Sequence, residues 1–115
     1  MIIIAVDFDG TLTIGNKDDI LSNEPNLNLI QYLQNLRKSI HCHIKIVTAR
    51  GAKKNLSLYE KKNKYQSLIE KFCHQYSIPY DEISFNKEYA HLYIDDMTIN
   101  PFEKFTGYNL SLIHI

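Results

Sequence analysis

The sequence predicts an α/β domain built on a small parallel sheet, and three observations carry that prediction. The chain opens on an unbroken apolar run, Ile2-Ile3-Ile4-Ala5-Val6, of the kind that suits a strand covered on both faces. Further short apolar runs alternate with stretches of helical periodicity, the pattern of strand–helix–strand units. Each run ends on a polar group: Asp7 and Asp9, Thr48 and Arg50, Lys87, and Asp95 with Asp96. A parallel sheet gathers such ends at one edge, where open α/β sheets bind their ligands.

The elements follow in order. After the first strand, residues 12–24 have the composition of loops and turns (Gly15, Asn16, Asp18, Asp19, Ser22, Asn23) and are expected to form a short flap over the strand end. Pro25 suits a first helical turn, with Ser22 or Asn23 as caps. Leu29, Ile30, Leu33 and Leu36 recur at helical spacing, so residues 25–39 read as an amphipathic helix with these four in the core. Ile44 to Val47 reads as the second strand, ending at Thr48-Ala49-Arg50-Gly51. Residues 52–62, rich in lysine (Lys53, Lys54, Lys61, Lys62), read as a solvated loop. Tyr65, Leu68, Ile69, Phe72, Cys73 and Tyr76 then form a helical stripe over residues 63–77, stopped by Pro79. Ile83–Phe85 and His91–Ile94 are short third and fourth strands. Pro101–Phe105 is expected to make one helical turn, and the apolar tail from Asn109 to Ile115 to pack against the domain.

With 115 residues, 44% of them hydrophobic, the chain fits one domain over residues 1–115. A domain of this size buries roughly two thirds of its unfolded surface, enough for a core of its own. Thirteen basic residues balance thirteen acidic ones, which argues against a nucleic-acid footprint. Two cysteines, Cys42 and Cys73, make no disulfide scaffold and point to a reduced, cytoplasmic setting. No apolar run is long enough to span a bilayer, and the short N-terminal run ends in carboxylates without a basic leader, so neither membrane nor secretory signal is expected.

The chemistry concentrates at Asp7-Phe8-Asp9-Gly10-Thr11. On an extended chain, carboxylates two residues apart point to the same side. At close range they repel by roughly 4 kcal/mol at a working protein dielectric, which a divalent cation or a shared proton usually offsets. The other reading of this stretch is an Asp-rich turn capping a helix.

Asp7-Phe-Asp-Gly-Thr11, Ile46-Val-Thr-Ala-Arg50, Lys87 and Tyr93-Ile-Asp-Asp96 resemble, in order, the four motifs of the haloacid dehalogenase (HAD) superfamily of phosphohydrolases. The resemblance spans residues 2 to about 105. It implies a three-layer, Rossmann-like domain without a cap, because residues 10–24 and 51–82 are too short to hold one. It further implies a Mg²⁺-dependent phosphatase. Asp7 would be the nucleophile that forms an aspartyl-phosphate, and Asp9 the general acid/base. The Thr48 hydroxyl and nearby backbone N–H groups, in the stretches Gly10-Thr11 and Ala49-Arg50, would take phosphate oxygens. Lys87 would balance charge. Asp7 and Asp95 would hold the cation, Asp9 adding its backbone carbonyl and Asp96 acting through water. Arg50 either lines the phosphate site or anchors its loop on a carboxylate.

The chain is also similar to small phosphatases encoded with capsular polysaccharide biosynthesis genes, in Thr48-Ala-Arg-Gly51, Ile78-Pro-Tyr-Asp-Glu-Ile83 and the last two motifs. Where that group often has a glycine before the lysine and a proline after it, this chain has Asn86 and Glu88. The similarity implies a small phosphorylated substrate such as a sugar phosphate. The lack of a cap implies an open site that either accepts large substrates or borrows a neighbouring subunit of a homo-oligomer as a lid, with the flap near residues 13–22 shaping entry. Two alternatives stand beside it: a phosphatase of nucleotides or polynucleotide ends, and a non-enzymatic module that binds metal or phosphate. A receiver-type phospho-acceptor fits poorly, because its acidic pair and its phosphorylated Asp lie on different strands. His41 and His43 flank Cys42 without the further ligands a zinc site needs, and His74, His91 and His114 are isolated. The first two read as part of a turn or strand edge, and the other three as structural. The eight tyrosines show no regular spacing for stacking bases.

Overall fold

The computed structural model describes residues 1–52, 54–86 and 90–95. Lys53, Lys87, Glu88, Asp96 and the segment 97–115, with its expected helical turn and tail, lie outside the described residues. Four strands form one parallel sheet in the order β5-β4-β1-β6. They are β1 (Ile2–Asp7), β4 (Cys42–Val47), β5 (Glu82–Ser84) and β6 (Leu92–Ile94). A second, two-stranded antiparallel sheet pairs β2 (Thr13–Ile14) with β3 (Glu24–Pro25). The helices are α1 (Leu27–Ser39), α2 (Leu58–Lys61) and α3 (Ser67–Gln75).

β1 lies inside the sheet, in parallel register with β4 from Ile2–Cys42 to Asp7–Val47 and with β6 from Ile4–Leu92 to Val6–Ile94. Ile4, Ala5 and Val6 are fully buried, so the unbroken apolar run is a strand covered on both faces. β4 begins at Cys42, two residues before the expected start, because its ladder with β1 extends to Ile2. His43 therefore lies in the strand, where its Nε2 meets Glu82 Oε2 of β5 at 2.6 Å. His91 Nδ1 accepts from the Ile3 N–H at 2.8 Å and so borders the β1–β6 ladder. His43 thus lies within an inner strand, where a turn or strand edge was expected, while His91 is engaged by the β1 backbone, in keeping with a structural reading.

α1 starts later than the proline suggests. Pro25 belongs to β3, opposite Thr13, and the cap is Asn26 rather than Ser22 or Asn23. Asn26 Oδ1 accepts from the Leu29 N–H at 3.3 Å, its Nδ2 donates to the Thr11 carbonyl at 2.9 Å, and its own N–H donates to the Leu12 carbonyl at 2.8 Å. One buried amide thus caps the helix and fastens it beneath the end of β1. Leu29, Ile30, Leu33 and Leu36 are buried in the core, as their spacing predicts. Asn23 pins the hairpin instead: its Oδ1 accepts from the Lys17 N–H at 2.9 Å.

Residues 58–62 are helical, not loop. Ser57 and Glu60 form a capping box, with Ser57 Oγ accepting from the Glu60 N–H at 3.2 Å and Glu60 Oε1 from the Ser57 N–H at 2.9 Å. A wide π-type turn over Lys62–Gln66 joins α2 to α3. The predicted stripe is real: Tyr65, Ile69, Phe72 and Cys73 are buried, and Leu68 and Tyr76 pack at the core margin. Phe72 meets Phe8 edge to face with centroids 5.3 Å apart, setting α3 against the turn that follows β1. The helix ends at Gln75, before Pro79. Ser77 takes a left-handed φ of 54°, and the Ile78 N–H reaches back to the Cys73 carbonyl at 2.9 Å.

Candidate active site at the strand ends

From β1 the chain passes to β4 and then β5 on one side, and returns to β6 on the other. The switch point therefore falls between β1 and β6, whose carboxyl ends carry Asp7 and Asp95. Open α/β sheets take ligands at such a point because the connecting loops part there. The crevice has two lobes that share Asp7, Ala49 and Ala52. One, of 410 Å³, is lined by Thr48, Lys61, Asn86, Tyr93 and Asp95 among others. The second, of 510 Å³, is lined by Asp9, Asn16, Asp18, Arg50, Lys54 and Tyr65. Both volumes are on the small-molecule scale.

The strand stops at Asp7, and Phe8–Leu12 winds into one wide turn closed by the Thr13 N–H on the Phe8 carbonyl. Gly10 allows this with a φ of 77°, a left-handed value that costs glycine little. Its N–H donates to Thr13 Oγ1 at 2.9 Å. Thr11 is fully buried, with its hydroxyl 3.4 Å from Asp7 Oδ2. Gly10 and Thr11 are thus engaged inside the turn, where they shape it and support Asp7. As described, that N–H and that hydroxyl already have partners, unlike groups that wait for phosphate oxygens.

Asp9 lies outside the strand, so the same-side geometry of an extended chain does not apply. Both of its oxygens accept hydrogen bonds. Arg50 Nε donates to Oδ1 at 2.7 Å, and the Thr48 hydroxyl donates to Oδ2 at 2.8 Å. On this side of the acidic pair the Arg50 guanidinium sets a positive charge against Asp9, apart from the divalent cation or shared proton that the sequence suggested for the pair. Thr48 Oγ1 also accepts from the Arg50 N–H at 3.1 Å. Arg50 continues to the flap, giving NH2 to the Lys17 carbonyl at 2.7 Å and NH1 to the Asp18 carbonyl at 3.0 Å. These contacts are those of the anchor reading of Arg50, and the residue also lines the larger lobe. Ala49 lines both lobes.

On the β6 side, burial raises the Tyr93 hydroxyl above its ordinary pKa, and the neighbouring carboxylates of Asp7 and Asp95 raise it further. Two acidic strand ends therefore act on one point of the smaller lobe. Oxygen donors of this kind suit a hard cation such as Mg²⁺. Among the described residues no group of three or more His, Cys, Asp or Glu side chains could hold a metal ion. A cation here would rest on the Asp7 and Asp95 carboxylates, with a backbone carbonyl or water beside them. The Asp9 side chain, bound to Arg50 and Thr48, is directed elsewhere. Lys87 and Asp96 lie outside the described residues.

Sequence reasoning left Lys61 in a solvated loop. The Ser57–Glu60 capping box starts a helix that carries it into the lobe with Asp7 and Asp95. The signal was present as Ser-x-x-Glu, but no apolar periodicity accompanied it. Gly51 sets the approach: its φ is 86°, and a Cβ there would meet Lys61 Cγ at 3.0 Å and Leu56 Cδ1 at 3.2 Å. Among the described residues no helix is long and apolar enough to cross a membrane.

No protein-family model and no curated protein matches the chain. A crystal structure of a structural-genomics target from Vibrio cholerae does, at 33% identity and a TM-score of 0.74 over 99% of this chain and 94% of that one. The two chains belong to one family. The kinship covers nearly the full length of both and supports the α/β fold; the description of that target carries no chemistry to transfer.

Proposed function

We propose that this chain is a Mg²⁺-dependent phosphatase of the HAD type, without a cap domain, that hydrolyses a phosphate monoester through an aspartyl-phosphate on Asp7. The observation that supports this best is the meeting of Asp7 and Asp95 in one lobe at the β1–β6 switch point, with Asp9 held by Thr48 and Arg50 in the adjoining lobe that Asp7 also lines. Residues 10–24 carry only a hairpin with two-residue strands and one 3-10 turn, and the described part of residues 51–82 only the helical run from Leu58 to Gln75, which supports an open site.

In this reading Asp7 attacks phosphorus. The Asp7 oxygen–phosphorus bond forms as the bond to the leaving oxygen breaks, and Asp9 in its protonated form gives that oxygen its proton. Asp9 then takes a proton from water, whose oxygen displaces Asp7 and releases phosphate. A bound Mg²⁺, held by Asp7 and Asp95, would neutralise the phosphoryl charge. Lys61 adds an ammonium on the same side, and Lys87 is assigned the same part from its motif. The similarity to capsular polysaccharide phosphatases makes sugar phosphates the first substrates to try. A cytoplasmic setting and a subunit-supplied lid belong to the same reading.

The test is phosphate release from an aryl phosphate and a panel of sugar and nucleotide phosphates, with and without Mg²⁺, for the native chain and Asp7→Asn. Mg²⁺-dependent release that drops to background in Asp7→Asn is expected. A folded native chain inert on the whole panel would reject the hydrolase and favour a binding role.

A further inference from the structure

We infer that Arg50 is a positioning residue: a strut that ties the flap backbone to Asp9, so that flap placement and the orientation of the proton-carrying carboxylate are set together. The inference rests on the role proposed for Asp9. Arg50 uses three different nitrogens on three acceptors from two segments: Nε on Asp9 Oδ1 (2.7 Å), NH2 on the Lys17 carbonyl (2.7 Å) and NH1 on the Asp18 carbonyl (3.0 Å). The Arg50 and Asp9 side chains are only 10% and 14% exposed, so the pair is screened little by solvent. A planar guanidinium can hold three such directions at once, and an ammonium cannot. The main chain of Arg50 completes the arrangement. Its N–H donates to Thr48 Oγ1 at 3.1 Å, and that hydroxyl supports the other Asp9 oxygen. One residue therefore fixes both oxygens of Asp9, one directly and one through Thr48.

The flap end of the strut is itself ordered. Asn23 is buried and binds the Lys17 N–H at 2.9 Å, so the Lys17 peptide is held from both sides, Asn23 on its N–H and Arg50 on its carbonyl. Asn16 and Asp18 of this loop line the larger lobe together with Asp9. A leaving group placed beside Asp9 would thus meet the very segment that Arg50 holds. Phosphate recognition is a poor alternative, because the strongest donors of Arg50 face protein oxygens.

The two roles predict different kinetics. A group that positions the proton donor matters most when the leaving group is a poor one. A group that binds phosphate matters equally for all esters. For Arg50→Gln, kcat/KM, which reports the first phosphoryl transfer and leaves out the aspartyl-phosphate hydrolysis common to all esters, is expected to fall about tenfold or more further for an alkyl phosphate than for a dinitrophenyl phosphate, within the range general-acid contributions span. Arg50→Lys, which keeps the charge but not the fork, is expected not to restore the alkyl ester. Amide exchange in residues 16–19 should quicken in Arg50→Gln and also in Asp9→Ala, which cuts the strut from its other end. Equal losses on both esters with a raised KM, or rescue by Arg50→Lys, would overturn the inference, as would flap exchange unchanged in Asp9→Ala. The exchange arm on Asp9→Ala decides the matter even if Arg50→Gln does not fold. A native chain without phosphatase activity would reject the hydrolase reading alone, leaving the strut to be judged by exchange.

Discussion

Two arginine–aspartate pairs, each between residues about forty apart in sequence, make an instructive comparison. Arg37 NH2 meets Asp81 Oδ2 at 2.6 Å, beside β4 at the β5 edge, and Arg50 Nε meets Asp9 Oδ1 at 2.7 Å at the strand ends. The bond lengths are nearly equal, and the surroundings differ. The Arg37 and Asp81 side chains are about a third exposed, at 35% and 32%. Asp81 also accepts from the Ile44 N–H at 2.8 Å, while its own N–H donates to the Ile44 carbonyl at 2.8 Å. That aspartate stitches the approach to β5 onto β4, and it lines neither lobe of the strand-end crevice. The Asp9 pair is more deeply buried, lines a lobe and lies next to a second carboxylate on Asp7. Pairing alone marks neither a site nor a fastening. What decides is whether the carboxylate closes a backbone ladder or faces open volume.

Substitutions can break this comparison, and the largest effect is expected at Asp9. Asp9→Asn should lower turnover by roughly 10²–10⁴-fold, the range for loss of a general acid/base, with little change in melting temperature. A melting drop as large as that of Asp81→Ala would make Asp9 a fastening too. Asp81→Ala should show the reverse pattern. It leaves the buried Ile44 N–H unpaired and should cost about 1–3 kcal/mol in denaturant unfolding, with kcat/KM unchanged; the exposed ion pair itself adds at most about 1 kcal/mol.

The same aspartate gives a pH signature. Burial raises the Asp81 pKa, but the Ile44 N–H, the Arg37 hydrogen bond and charge and the nearby His43 outweigh it, leaving the carboxyl below its ordinary value. A depressed folded pKa contributes stability above the ordinary carboxylate range, and that contribution is lost as pH falls through the folded value. The stability gap between native and Asp81→Asn should therefore be full near neutrality and shrink below about pH 4. A gap that widens in acid would refute this account. The smallest effect is expected for Gly51→Ala. Its left-handed φ and the Cβ contact with Lys61 at 3.0 Å should cost about 1–2 kcal/mol of stability and raise KM modestly by displacing Lys61.

Much of the sheet was legible in the sequence because burial on both faces leaves its mark on composition. Ile2 to Val6 could hardly be anything but an inner strand, and Leu29-Ile30-Leu33-Leu36 and Tyr65 to Tyr76 announce the core faces of their helices. The errors share one cause. Pro25 is equally at home in a first helical turn and in an edge strand, and only its pairing with Thr13 chooses the strand. Asn26 outranks Ser22 and Asn23 as a cap because its amide can also reach the Thr11 carbonyl, a contact fifteen residues away. Residues 58–62 carry no apolar stripe, so their helix rests on a capping box and on continuity with α3.

The site divides in the same way. The sequence by itself determined that the carboxylates of Asp7 and Asp95, the Thr48 hydroxyl and the basic Arg50 stand at or just past the ends of strands. It did so because hydrophobic periodicity locates each strand and the polar residue after it closes the run. Tertiary structure alone decided which of these groups meet. The β5-β4-β1-β6 order brings Asp7 to Asp95, and Arg50 crosses from the end of β4 to hold Asp9 and the flap. Those are contacts across about thirty to ninety residues, set by strand order and loop closure, and no local pattern of amino acids encodes them.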